Sequence, residues 1–155
     1  MVVSLIVAQL VLILFILLDG WFDLAPFNDL TAARKRGFAL RMQDTAFAIA
    51  PVVVATMFTF LRLGVDGDAR EGTGMFGVVV VAALALPVVT MAKAWWIPYY
   101  FGTTEEVRAY VSSLGERHAF LEPRQPKGVV PSTYHCLVHA HVTACLLMSF
   151  IALLA

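Results

Sequence analysis

The sequence predicts an all-α polytopic membrane protein, a bundle of four transmembrane helices with short amphipathic interfacial helices in the cytoplasmic loops. Three observations predict it. Hydrophobic residues make up 60% of 155 positions and charged residues only 14%, against about 25% charged in soluble domains. The apolar residues lie in four blocks rather than at amphipathic spacing. Each block runs close to the ~20 residues that a bilayer-spanning helix needs, so four spans leave room for one domain. Eleven Lys and Arg balance eleven Asp and Glu. That neutrality removes the electrostatic footprint of a nucleic-acid binder.

The expected spans cover residues 2–18, 45–62, 75–93 and 133–155 of a single domain 1–155. The first is broken only by Ser4 and Gln9 and stops at Asp19. It has no basic leading region, and Asp19-Gly-Trp-Phe-Asp lacks small residues at a cleavage spacing, which predicts a retained span. The second stops at Arg62 and contains Pro51. The third contains Gly77 and Pro87 and stops at Lys93, with Trp95 and Trp96 extending it. Proline is tolerated inside a bundle, where neighbouring groups satisfy the freed carbonyls. The fourth begins near Thr133.

Basic residues orient these spans. Arg34, Lys35, Arg36 and Arg41 fall in the first loop. Arg108, Arg117, Arg124 and Lys127 fall in the third, with Lys93 at its entrance, whereas the second loop offers only Arg62 and Arg70. The first and third loops are therefore expected in the cytoplasm, with both termini outside, as in a protein of a bacterial plasma membrane. Cys136 and Cys145 share the fourth span, about 13.5 Å apart along a helix axis and too far to bridge.

The inner loops carry pattern of their own. Thr103 and Glu106 have the spacing of a capping box, and Val107, Tyr110, Val111 and Leu114 follow at i, i+3, i+4 and i+7 until Gly115. This predicts an amphipathic helix that caps the bundle, followed by a proline-containing strap over 116–131. In the first loop, residues 30–43 are expected to be helical despite Gly37. Trp21, Trp95, Trp96, Tyr99, Tyr100 and Tyr134 fall at span ends, where an interfacial aromatic belt accounts for them.

With this topology, the ionisable residues at the inner span ends share one level: Asp19, Asp44, Lys93, and Tyr134 with His135, while His139 lies one turn deeper. Ionisable groups at membrane depth are costly unless paired and tend to mark function. Asp19, Asp44, Lys93, Tyr134, His135 and His139 are accordingly expected to converge in a cytoplasm-facing polar pocket beneath the third loop. His135 and His139 are four apart and share a helical face, whereas His141 points almost oppositely. The first two could supply ligands to a transition metal, with Asp19, Asp44, His118 and Glu122, the last two themselves four apart, as candidates to complete the shell. Haem ranks below a bare metal ion, because two axial histidines must lie on opposite sides of the ring and no other span contains one. Gln9 could hydrogen-bond across helices.

Phosphate-binding loops, nucleophile elbows and dinucleotide fingerprints are absent from the sequence. A non-catalytic binding or accessory protein fits best, with the lipid bilayer as its environment and a protein partner or a second copy as its possible company. A metal-dependent membrane enzyme or redox protein using His135 and His139 stands second. A small oligomeric transporter stands third, since Thr56, Thr59 and Ser149 are few polar groups for a path through one chain.

Overall fold

A computed structural model describes residues 2–23, 34–35, 37–65, 70–113, 119 and 121–154. These contain helices and no strand: α1 (Val2–Trp21), α2 (Phe38–Val65), α3 (Arg70–Met91), a π-helical turn (Ala92–Trp96), α4 (Ile97–Phe101), α5 (Glu105–Ser113) and α6 (Thr133–Leu154). Four stretches are long and apolar enough to cross a membrane: Val2–Trp21, Phe38–Gly64, Gly74–Phe101 and Thr133–Leu154. Each packs against the next around a ring, with α6 closing against both α3 and α1. The protein is a four-helix membrane bundle.

Each helix buries a narrow stripe. On α1 it is Leu5, Gln9, Leu12 and Asp19; on α2, Val52, Ala55, Thr56 and Thr59; on α3, Val80 and Leu84; on α6, Tyr134, Val138, Val142, Cys145, Ser149 and Ala152. These positions recur every three or four residues, as helix geometry requires of a face turned to one neighbour. The remaining faces carry Val, Leu, Phe and Met open to the surroundings, among them Val7, Leu14, Phe47, Leu86 and Leu147. In a bilayer those faces meet acyl chains. Helix association then rests on close packing and interhelical hydrogen bonds rather than on expelling water.

Two such bonds fix α1 against α6. The Tyr134 hydroxyl donates to the Phe15 carbonyl at 2.7 Å while its ring stacks on Phe15. His141 Nε2 donates to the Ala8 carbonyl at 2.9 Å. Position 15 faces 134 and position 8 faces 141, so the antiparallel register holds over the intervening turns. At one end of α2, Arg41 donates to the Gly20 carbonyl and lies over the Trp21 ring. At the other, Arg62 reaches the Ala152 carbonyl beside Gly77, where α3 lies against Leu153 of α6. The buried hydroxyls of Thr56, Thr59 and Ser149 each donate to the carbonyl four residues back, satisfied within their own helices. Cys136 and Cys145 are free thiols.

The connections depart from the sequence-based expectation in three places. The helix expected over 30–43 does not run through Gly37, whose φ of +85° breaks it. From Phe38 onward it is the first part of α2, seven residues ahead of the expected span start at 45. Phe38 packs on Trp21, and Arg41 anchors the added turns. The Trp-Trp-Ile-Pro-Tyr-Tyr segment stays helical instead of leaving the membrane at Lys93. Pro98 falls in the first turn of α4, where a missing N–H is tolerated.

Finally, the cap of α5 is Thr104 rather than Thr103: its Oγ1 accepts the Val107 N–H, so the expected capping box with Glu106 does not form. Gly102, at φ +81° and ψ 175°, turns the chain so that the Thr103 N–H donates to the Lys127 carbonyl of the strap. This fixes Thr103 outside the helix. The strap is held further by the Tyr99 hydroxyl on the Glu122 carbonyl and by Gln125 on the Tyr100 carbonyl. The expected end of this helix at Leu114 and Gly115 lies outside the described residues.

Candidate functional site

The bundle is not filled at the end that carries the first and third connections. A cleft of about 570 Å³ opens there among all four spans. Most of its ionisable groups come from α1 and α6, Asp19, Tyr134, His135 and His139, with Ile16, Val138 and Val142 beside them. Its other walls are mostly apolar, from Phe47, Ala48 and Pro51 of α2 and Leu86, Pro87 and Met91 of α3, with Thr90 among them. Trp95 of the π turn and Tyr110 of α5 complete the rim. Phe47 and Leu86 are 73% and 59% exposed, so the mouth between α2 and α3 faces sideways, at the level of the lipid-facing side chains.

Four of the six expected pocket residues are therefore brought together, and two are not. Lys93 is exposed on the π turn and does not line the cleft. Asp44 is half-buried on α2 but also lies outside the lining. Cleft-lining residues of α2 recur at 47, 48 and 51, and Asp44 is on that helix a turn nearer its start. Of the proposed metal ligands, His118 is outside the described residues. Glu122 sits on the strap, where its carbonyl accepts from Tyr99. Among the described residues no group of three or more His, Cys, Asp or Glu is placed to hold a metal ion.

The histidines are held by specific partners. Ser132 precedes the first turn of α6, and its Oγ accepts the His135 backbone N–H at 3.2 Å. The same hydroxyl lies 2.7 Å from His135 Nδ1 and has its proton to donate there. Trp95 packs over the His135 ring with centroids 3.9 Å apart. One turn deeper, Trp96 Nε1 donates to His139 Nδ1 at 3.0 Å. An indole N–H is a donor only, so His139 Nδ1 must hold its lone pair and the neutral ring carries its proton on Nε2. The His135 and His139 rings are 5.9 Å apart. His141 faces the other way, onto α1, as the helical phase predicts.

The π turn is what brings the tryptophans to these positions. Ile97 N–H bonds the Ala92 carbonyl five residues back, inserting one extra residue into the helical path. The insertion turns both Trp95 and Trp96 toward α6. Sequence reasoning places them in an interfacial belt; their side chains instead stack on one histidine and orient the other. Proline at 87 followed by an adjacent tryptophan pair was the available signal, but the phase of the helix past Pro87 was not readable from composition. Ser132 and Tyr110 were likewise unassigned, although Pro-Ser-Thr just before a span has the form of a helix cap.

One buried group has no counterpart. Gln9 is fully buried, level with His139–His141 by the α1–α6 register, and neither its Oε1 nor its Nε2 has a hydrogen-bond partner among the described residues. The expected interhelical bond is not made among the described residues.

No family model matches this chain, and neither the curated proteins nor the solved structures contain a match to it.

Proposed function

We propose that this protein is a non-catalytic binding or accessory protein of the membrane, taking one lipid-soluble amphiphile into the cleft between its four spans. The observation that carries this reading is the division of the cleft lining. Its α2 and α3 walls are mostly apolar and include the exposed Phe47 and Leu86, while its ionisable groups all come from α1, α5 and α6. Binding sites for small molecules combine a predominantly apolar lining with a few placed polar groups, and at about 570 Å³ the cleft is within the usual size range.

The metal-dependent alternative draws less support. Trp96 engages the Nδ1 lone pair of His139 and leaves Nε2 protonated, so His139 must give up that bond to ligate through either nitrogen. Transport draws less again, since the buried hydroxyls beyond the cleft donate back to their own helices. The excess of basic residues in the first and third loops supports a cytoplasmic position for the cleft end of the bundle, with both termini outside.

The test is extraction of the protein purified in mild detergent, with mass spectrometry of whatever organic-soluble molecule accompanies it. A near-stoichiometric amphiphile is expected from the native chain and a severalfold smaller amount from Ala48→Trp, which places a large ring in the cleft wall. No enriched amphiphile, or equal amounts from both proteins, would overturn the reading. Elemental analysis of the same preparation decides the metal alternative: a stoichiometric transition metal that is lost on changing both His135 and His139 to Ala would establish it.

A further inference from the structure

We infer that the cleft selects an amphiphile whose head presents a carbonyl oxygen, and that His139 Nε2–H, with Trp95 Nε1–H as a second donor, reads that oxygen. This rests on the cleft reading above and specifies the chemistry of its occupant.

The hydroxyl protons of the lining are engaged within the fold: Tyr134 donates to the Phe15 carbonyl and Thr90 to the Pro87 carbonyl. Two N–H groups are not. His139 is only 6% exposed, and Trp96 donates to its Nδ1, so its own proton is on Nε2. No described residue accepts that N–H, and the atom is not sealed in as the Gln9 amide is. Trp95, half-buried beside it, lays its ring over His135. Its indole N–H, at the ring edge, likewise has no acceptor among the described residues. Such donors in a secluded site are matched in native structures by a partner.

His139 also stands between two spaces. On another face of α6 a shallow hollow of about 490 Å³ is bordered by Trp96, Leu121, Cys136, Ala140 and Thr143, and His139 is the residue that its lining shares with the cleft. Trp96 lines the hollow and not the cleft, so it holds Nδ1 from the hollow side and leaves Nε2–H for the cleft. The hydroxyl of Thr143, in the hollow, already donates to the His139 carbonyl. The chemistry asked of the cleft ligand is therefore an acceptor. A carbonyl oxygen, of a ketone or an ester, has two lone pairs and no proton, and suits one or both donors. A head whose polar atoms are all donors, such as a protonated amine, does not.

The test uses the full chain in dodecyl maltoside micelles, following helix unfolding by circular dichroism against the micellar mole fraction of probes of equal carbon number: 2-tridecanone, methyl dodecanoate, tridecane and tridecylamine. A carbonyl probe is expected to raise the unfolding midpoint saturably at about tenfold lower mole fraction than tridecane or the amine, the discrimination of roughly one buried hydrogen bond. The more effective of ketone and ester names the source of the carbonyl. His139→Phe should abolish that preference, and His139→Gln, which keeps an N–H donor, should restore part of it. Trp95→Phe should reduce it severalfold. Each preference is a ratio between probes on one protein, so a purely structural loss of stability leaves it unmoved. Should His139→Phe not fold, Ala48→Trp in the cleft should abolish the carbonyl response and Ala140→Trp in the hollow should spare it. The reverse pattern would overturn the assignment of Nε2–H to the cleft. Equal responses to carbonyl probes and tridecane would overturn this inference while leaving an apolar cleft ligand in place. A response to the amine matching the carbonyl probes would overturn the acceptor. No response to any probe would overturn the inference altogether, and the co-purification experiment would still decide the cleft reading on its own.

Discussion

Replacing Gln9 with Met should stabilise this protein, against the usual direction of a core substitution. Gln9 is fully buried with both amide atoms unpartnered. Burying an amide without compensation costs about 1–3 kcal/mol on mutational scales, more if measured against a hydrocarbon. Methionine has nearly the same length and a similar helix propensity, so neither a cavity nor a backbone term offsets the gain. Leu5 and Leu12, one turn to either side on the same face of α1, are apolar and buried. The expected change is therefore a gain of about 1–2 kcal/mol, since the detergent-unfolded chain also finds partners for a glutamine. The assay is reversible unfolding by sodium dodecyl sulfate titrated into mild-detergent micelles, with helicity as the signal. Gln9→Ala is the control: it removes the same amide but leaves a cavity, and should be destabilised by about 1–3 kcal/mol relative to the methionine variant. A loss of 1 kcal/mol or more in Gln9→Met would refute the reasoning, because it would mean that the amide holds a favourable interaction in the folded bundle.

Other substitutions probe other parts of the fold. Tyr134→Phe keeps the stack on Phe15 and removes the hydroxyl that bonds its carbonyl, and should cost about 0.6–1.7 kcal/mol in the same unfolding assay. Gly102→Ala should cost about 1–3 kcal/mol, since its backbone at φ +81° and ψ 175° is accessible essentially to glycine alone; proteolysis near the strap should accelerate with it. Gly77→Ala brings a methyl to 2.8 Å from Leu153 Cδ1. That neighbour is the far end of a flexible side chain, so the loss should stay under about 1 kcal/mol, whereas Gly77→Leu should separate α3 from α6 and cost about 1–3 kcal/mol. Trp96→Phe removes the indole N–H, frees His139 to take either tautomer, and should lower the amount of co-purifying amphiphile severalfold without changing the helical content.

The spans were legible because bilayer thickness imposes a length and composition that no tertiary contact can override. Asp19, Tyr134, His135 and His139 were legible because span ends and helical phase place them at one depth and on one face. Lys93 satisfied the depth criterion but not the facing one, which depends on how the helix is rotated, and a hydrophobic block carries little information about that; Asp44 shares the face of 47, 48 and 51 but sits one turn beyond the lining. Trp95 and Trp96 were read by residue type, as interfacial anchors, when their role depends on one extra residue in the helical path. Thr103 and Thr104 show the same limit at a finer scale: both have the chemistry of a cap, and the choice between them was made by Gly102 and by a strap carbonyl more than 20 positions away, at Lys127.

That extra residue also makes the third span a helix with two independent phases. Up to Met91, its rotation is set by packing of Val80 and Leu84 in the core; beyond Ala92, it is set by Trp95 and Trp96 on α6. Removing one residue between these anchors would allow an unbroken α-helix and leave the indoles facing α6, because the π turn exists to absorb that residue. Adding one would instead rotate everything beyond by about 100°, and the indoles would leave the histidines. Membrane insertion would tolerate such an addition, and the cleft would not. For a protein of this kind, a single-residue change in length within one span separates the capacity to reside in the bilayer from the capacity to recognise anything there.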